Sequence, residues 1–495
     1  MIAKWLSGLV STFIPALLSV MAAAQSTAPW IRPADLLVAD TGADVLYRFA
    51  DSNLDGDYND AGEVLTFFAN GSQGVTLGIA SALAVGPDGA VFLSDTSTDL
   101  VHRLVDLNAD GDAADPGEVT VWFGSTGSAQ PNASGLNAPS MFGVAVDVFG
   151  AVYVTNSGTS ALPTDFIGKL VDLNGDGDAQ DAGEAFIYTT TSISAVGNNS
   201  VPTSVAVGPD FNVYYGESGA AGGVGRGVWR LVDTNSDGDA DDAGEKSLYF
   251  TPTGAAAASI VNLYGLAFDA SGRLFVTDHA TDNTYGATDL NNDSVVTAGG
   301  PEEVVVFNPG AASLSWSSAV GQDLNGNLVL LVVDDQAPER IHRLVDLNSD
   351  GDASDPGESG FAYDETLGSQ LLDSPRGITF MKGPSLAAGP LPAILGQNFN
   401  LVASGGAGEV FVVELGFPLG FGLPVAPFGV LFLDPTPGTY FDLVPVFTLP
   451  PTGDALFTFP IPNFPPLLSL TFQLQGVGGS AGKLFFTNGV TLTFV

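Results

Sequence analysis

Thirteen residues, DLNADGDAADPGE at 106–118, gather five carboxylates and one amide around two glycines. Oxygen-bearing side chains stand at positions 1, 3 and 5 (Asp106, Asn108, Asp110). Gly111 at position 6 admits a sharp bend, and Asp112, Asp115 and Glu118 follow at positions 7, 10 and 13. Alternate oxygens turned to one centre make a cage for a hard cation, with the position 7 carbonyl as a further ligand. No His or Cys falls at this spacing, which selects Ca²⁺ or Mg²⁺ over zinc or copper, and loop flexibility with many ligands favours Ca²⁺. Without a cation, so dense a run repels itself.

The pattern recurs. Equivalent oxygens are Asp51, Asn53, Asp55, Asp57, Asp60 and Glu63; Asp172, Asn174, Asp176, Asp178, Asp181 and Glu184; Asp233, Asn235, Asp237, Asp239, Asp242 and Glu245; and Asp346, Asn348, Asp350, Asp352, Asp355 and Glu358. A degenerate copy at 289–303 has Ser294 in place of Gly and Val295 in place of Asp, and is expected to bind weakly or not at all. Turn propensity alone does not ask five loops to keep seven positions. The reading is therefore about five structural Ca²⁺ ions, each pinning the connection in which it sits. The first half of the loop resembles an EF-hand, but Glu falls at 13 rather than 12 and the flanks read as strands. The calcium loops of integrin-type propellers are similar in setting and close with an acid nearer the glycine. Asp115 and Glu118 are thus both open as the last ligand.

Each loop lies between strand-like runs such as LVHRLV and VTVWFG. A second repeat, SALAVGPDGAVFLSD (81–95), returns at 142–156, 203–217 and 264–278, with a weaker copy at 317–335. It reads as two strands joined by a tight Gly/Asp turn. One unit is then strands a, b and c, the acidic loop, and strand d. Strand-b ends at 40, 95, 156, 217, 278 and 334 recur 55 to 61 residues apart, the period of a radially repeated four-stranded sheet. The first unit lacks strand a, and SPRGITFM at 374–381 supplies one, which predicts an all-β, six-bladed β-propeller over 34–382 closed by its last strand. Stretches such as LLVADTGADVLYRF and FLSDTSTDLVHRL resemble NHL-repeat and SMP-30-like six-bladed propellers. After a Pro/Gly/Ala linker at 383–397, residues 398–495 read as a small β-sandwich. That region resembles C-terminal sandwich modules of secreted bacterial proteins.

A net charge of −41, with only 14 Lys and Arg, excludes nucleic acid and disfavours anionic membranes and phosphorylated substrates. The absence of cysteine excludes disulfides, thiolate metal sites and thiol nucleophiles. Residues 1–24 read as a signal peptide ending in Ala22-Ala23-Ala24, so the mature chain is expected to be secreted or surface-exposed, and no later stretch reads as a membrane span. The long d–a connections at 124–141 and 189–200, polar and uncharged, suit a neutral glycan or protein ligand.

Asp40, Asp95, Asn156, Glu217, Asp278 and Asp334 end strand b on that same face, where each is expected to hold its own b–c turn. The SMP-30-like resemblance implies instead a catalytic divalent metal held by such Glu, Asn and Asp groups near the channel. His102 and His342 share one repeat position; only His279 on this face has no repeat explanation. The expectation is a calcium-stabilised, non-catalytic binding or surface-associated protein. The alternative is a metal-dependent lactonase or hydrolase at the central channel, opposite the acidic loops.

Overall fold

The computed structural model describes residues 35–381, apart from segments at 52–55, 87–88, 108–109, 148, 158–164, 192–199, 219–225, 253–261, 270, 309–316 and 323–327. Beyond these it describes strands between 385 and 493. The signal-peptide region, most of the linker, and Asn53, Asp55 and Asn108 lie outside the described residues. Among the described residues the only helical element is one 3₁₀ turn, Ser72–Gly74, and no helix is long and apolar enough to cross a membrane.

Residues 35–380 form six four-stranded antiparallel sheets. The second is typical: Ala80–Val85, Val91–Asp95, Leu100–Leu104 and Val119–Gly124, in sequence order from the inside out. Strand b is buried at every residue, as in VFLSD, because its sheet is covered on both faces. Strand d alternates more, with Thr120 exposed between Val119 and partly buried Val121. The first sheet joins the two ends of the repeat. Leu36–Asp40, Val45–Phe49 and Val64–Ala69 receive Pro375–Phe380 as their inner strand, paired Leu36 to Phe380 through Ala39 to Gly377.

Neighbouring inner strands pack too closely for side chains at some crossings. A Cβ at Gly143 would lie 3.0 Å from Ser204 Cα, and one at Gly377 would lie 3.2 Å from Ala82 Cα. A cavity of about 70 Å³ is lined by inner-strand residues of all six sheets, among them Leu83, Phe142, Thr203, Tyr264, Ser318 and Ile378.

The outer joints come from the acidic loops. In every loop the residue at position 8 donates its amide to strand d of the preceding sheet: Ala113 to Phe67, Ala179 to Trp122, Ala240 to Tyr188, Val296 to Tyr249 and Ala353 to Val306, at 2.7 to 2.9 Å. Tyr58 does the same to Ala362, tying the first sheet's loop to the last sheet, and Asp364 N adds a bond to Asn59 Oδ1. The position 8 side chains are buried. Cations of the preceding sheet grip the same loops: Arg48 donates to Gly111 O, Lys169 to Gly238 O, Arg230 to Ser294 Oγ and Arg273 to Gly351 O. The sequence reading, in which each loop pins only its own sheet, is therefore extended. The loops join sheet to sheet.

In the C-terminal region Ser385–Gly389, Asn398–Ser404 and Asp454–Pro460 form one sheet. Tyr440–Thr448, Val410–Gly416, Thr471–Ser480, Lys483–Phe486 and Val490–Thr493 form another. Leu401 and Ala403 of the first share a core with Phe411, Val413, Val444 and Leu474 of the second. Ser385–Gly389 falls inside the span read as linker, where the run SLAAG supplies a strand between Pro/Gly-rich flanks.

Arg48 is buried against Asp35 at 2.7 Å while holding the second acidic loop. Arg48→Met should cost about 3–5 kcal/mol in urea unfolding, because it strands a buried carboxylate. Pairing it with Asp35→Asn should recover much of that loss.

Candidate functional site

The acidic loops share one hydrogen-bonded frame. In the loop at 172–184, Asp172 accepts the amides of Gly175 and Gly177, Asn174 Oδ1 accepts that of Asp176, and Asp178 accepts that of Gln180. Glu184, buried, accepts the amides of Leu173 and Asp181 at 2.9 and 3.0 Å. The loops at 233–245 and 346–358 repeat this frame through Asp233, Asp346, Glu245 and Glu358. Glycine at position 6 suits the bend, since its φ lies near +100° in these loops, as with Gly177 at 97°. Asn174 Nδ2 points at Asp176 and Asp181, at 3.1 and 2.7 Å, and Asn235 and Asn348 do likewise. Positions 3, 5 and 10 thus converge. In the last loop, carboxylate oxygens of Asp350, Asp352 and Glu358 also lie within 4.8 Å of one another. Burial first, then neighbouring acids, push the Asp112 and Asp178 carboxyls up, against the pull of the amides they accept.

The degenerate loop keeps the frame. Ser294 N bonds Asp289 and Leu290 N bonds Glu302, with Ser294 at a φ of 69°. It lacks acids at positions 7 and 10. The frame and the joint it makes are thus independent of a full acid set.

Asp40, Asp95, Asp278 and Asp334 hold their own b–c turns, as one expectation had it, whereas Asn156 and Glu217 bond the connection leading into strand a. Asp95 accepts the amides of Gly78, Ile79, Ser97 and Thr98. Asp278 accepts those of Asn262 and Ala280 and the Thr281 hydroxyl. Asn156 takes Ser140 N, Glu217 takes Val201 N and Ser200 Oγ, and Asp334 takes Gln336 N. Asp40 takes Ala43 N and Asp373 N, and burial lifts its carboxyl to about 6. Each of these groups accepts backbone amides of its own sheet's connections. The long connection at 124–141 is also largely occupied. Buried Asn132 knits it to Gly124 and Leu136, while Ala133 and Ser134 bond Gln180 and Asp181 of the next acidic loop. Part of 189–200 lies outside the described residues.

One step past strand b, Thr41, Thr96, Ser157 and Ser218 each bridge to the first residue of the next inner strand: Ala80, Met141, Pro202 and Leu263. The fifth and sixth sheets put His279 and Asp335 there instead. On the inner strands beside them stand Tyr264, on the channel wall, and Arg376, both half-buried. The Tyr264 ring lies 5.8 Å from that of His279. Burial raises the Tyr264 phenol, with Arg376 opposing and Asp335 adding to the rise; burial also pulls the Arg376 guanidinium down against Asp335 and Tyr264. Tyr264 thus lines the cavity and lies against His279, while Asp335 and Arg376 stand near enough for their charges to act on its phenol, where the repeat is broken. Of these, sequence reasoning found only His279. The visible signal for Asp335 was its place in a column otherwise of Ser and Thr.

No family model matches the chain, and no curated protein matches it. Among solved structures it is similar to a protein provisionally named a gluconolactonase, at 15% identity over 66% of this chain and 85% of that one, with a TM-score of 0.36. It is also similar to virginiamycin B lyase from Staphylococcus aureus, at 15% over 66% and 83% with a TM-score of 0.38. For a streptogramin B lyase structure the values are 15%, 72% and 90%, with a TM-score of 0.40. The likeness is one of fold. These neighbours carry the names of enzymes, and with them the expectation of a non-catalytic binding protein is corrected. That expectation was drawn from composition and repeats. Composition and repeats record the scaffold, whereas the departures from it are four residues distant in sequence.

His102 and His342 are scaffold, as expected: His342 Nε2 lies 3.3 Å from Asp334, and His102 is buried in strand c. Burial lowers the His102 imidazole below its ordinary 6.5, with Asp95 partly opposing. As pH falls through that ordinary value the unfolded chain takes up a proton that the folded one resists, so stability is lost on the acid side. In excess calcium, the melting temperature should fall between pH 7.5 and 5.5, and it should fall less in His102→Leu. Equal slopes would remove His102 as the cause.

Proposed function

We propose that the chain is an exported, calcium-loaded six-bladed β-propeller with a C-terminal β-sandwich, and that it hydrolyses a small ester or lactone at the channel mouth. The observation that carries the reading is the replacement of bridging hydroxyls by His279 and Asp335 in two adjacent sheets, beside Tyr264 and Arg376. His279 acts as general base on a water, whose oxygen attacks the substrate carbonyl. Tyr264, kept protonated by burial, donates a hydrogen bond to the developing oxyanion. The carbon–oxygen ester bond then breaks, and the imidazolium returns its proton to the alkoxide. The strand-b carboxylates hold turns, so the groups performing the chemistry differ from those of the metal-ring alternative. Enzyme names among the structural neighbours agree in kind.

The acidic loops fit a hard cation by their donor set. Asn174 Nδ2 sits where the Asp176 and Asp181 carboxylates meet, and half a turn of the amide puts its oxygen there instead. Asp at position 10 is thus aimed at the centre, and Glu at 13, which holds the frame, also lies close to the position 5 and 7 carboxylates in the last loop. Calcium would neutralise the densest charge at the sheet-to-sheet joints.

Two experiments test these readings. With small lactones in calcium buffer, followed by pH-stat, His279→Ala and Tyr264→Phe should each lower kcat/KM by about 10²–10⁴-fold without moving the melting temperature. No turnover above buffer by the native protein, or unchanged turnover by His279→Ala, would sink the enzymatic reading. Calcium titration by calorimetry should give five sites, dropping by one in Asp176→Asn/Asp181→Asn. Excess chelator should lower the melting temperature strongly, because an ion bound only by the folded state stabilises it. An unmoved melting curve overturns the calcium reading.

A further inference from the structure

Of the five asparagines at position 3 of the acidic loops, only Asn174 is followed by glycine. Leu54, Ala109, Ser236 and Ser349 follow the others. Asn174, Asn235 and Asn348 sit in one frame. The side-chain oxygen accepts the position 5 amide at 2.8 to 2.9 Å, and Nδ2 donates to the carboxylates at positions 5 and 10. The next residue has a positive φ in all three: 80° at Gly175, 63° at Ser236 and 64° at Ser349. Its amide is given to the position 1 carboxylate, Asp172, Asp233 or Asp346, at 2.6 Å. Asn174 and Gly175 are exposed.

An asparagine closes to a five-membered imide when the next backbone nitrogen reaches its Cγ. A Cβ on the residue that supplies the nitrogen obstructs this approach, and glycine has none. The nitrogen must also give up its proton, and at Gly175 a carboxylate already holds it. In the other described Asn-Gly pair, Asn70 and Gly71, the glycine amide is given to the carbonyl of Val75 instead. We propose that Asn174 with Gly175 is a site of spontaneous covalent modification, at which an opened third loop converts its asparagine to aspartate and isoaspartate. The closed frame prevents the reaction by holding both ends of the Asn174 amide. When local opening frees that side chain from Asp176 and Asp181, Gly175 N bonds to Asn174 Cγ and its proton passes to Asp172. The Cγ–Nδ2 bond breaks and the nitrogen leaves, protonated, as ammonia. Water then opens the imide at either carbonyl, giving aspartate or an isoaspartate whose main chain runs through the side-chain carbons. Aspartate ends the donations of Nδ2 to Asp176 and Asp181, so three carboxylates face one point. Isoaspartate lengthens the chain just before Gly177 and Ala179. The first of these amides closes the loop on Asp172, and the second joins the third sheet to Trp122 of the second.

The test is mass spectrometry of loop peptides from the full chain, aged in calcium buffer with and without urea below the unfolding midpoint. Amide-to-acid conversion at Asn174 should run at least about tenfold faster than at Asn235 or Asn348, for want of a Cβ on the next residue. It should speed up in urea and yield both products, told apart by isoaspartyl methyltransferase labelling. Gly175→Ser should slow Asn174 to the pace of Asn235. Ser236 and Ser349 show that serine takes this φ, so the variant keeps the loop. Hydrogen exchange at the Ala179 amide should rise with the isoaspartate fraction and stay slow in Asn174→Asp, which adds the charge without lengthening the chain. Equal conversion at Asn174 and Asn235, or an unchanged rate in Gly175→Ser, overturns the proposal. Faster conversion at Asn70 than at Asn174 overturns the part given to Asp172.

Discussion

One hydrogen bond, made six times, holds the six sheets in sequence: the amide at position 8 of each acidic loop, given to the outer strand of the sheet before it. Everything else in the loop can be understood as preparing that donor. The position 6 residue at positive φ reverses the chain, Asp at position 1 gathers the amides of the bend, and buried Glu at position 13 fixes where the loop begins and turns back. The small residue at position 8 then fits beneath the neighbouring strand. Where that residue is Tyr58, its ring instead lies edge-on to Phe49, whose other neighbour is Tyr363 of the last sheet. This joint is where the two ends of the repeat meet.

Charge makes sense on the same basis. More than half of the acidic residues crowd into the loops, yet the frame uses their oxygens to accept backbone amides, which do not need a cation. The degenerate loop demonstrates the separation, keeping its joint to Tyr249 while lacking acids at positions 7 and 10. The scaffold is therefore a hydrogen-bonded device on which the acid density is superimposed, and the strand-c cations that reach the glycine carbonyls moderate its repulsion.

The architecture was largely legible because it is repeated. Alternating and fully apolar strand runs, Gly/Asp turns and the orphan strand at 374–381 all pointed to sheets of four and to closure by Pro375–Phe380. What could not be read was the direction in which the loops reach. An amide at Ala179 bonding Trp122 leaves no mark in composition, because any residue but proline carries that donor. The mouth was obscured for the opposite reason. Tyr264, His279, Asp335 and Arg376 are exceptions to the repeats, spread over more than a hundred residues, and only the fold sets Tyr264 against His279. In the connection at 124–141, Asn132 and Ser134 spend their polarity on neighbouring backbone, which composition does not show.

The strand Pro375–Phe380 has a consequence for the order of biosynthesis. It is the last strand of the six sheets to leave the ribosome, and it carries Arg376. Until it pairs with Leu36–Asp40, the first sheet has three strands and lacks its inner one, and a chain ending just before it has five complete sheets. Completion of the first sheet and the joining of the two ends of the repeat are thus a single event, so an unfinished chain is also an open one.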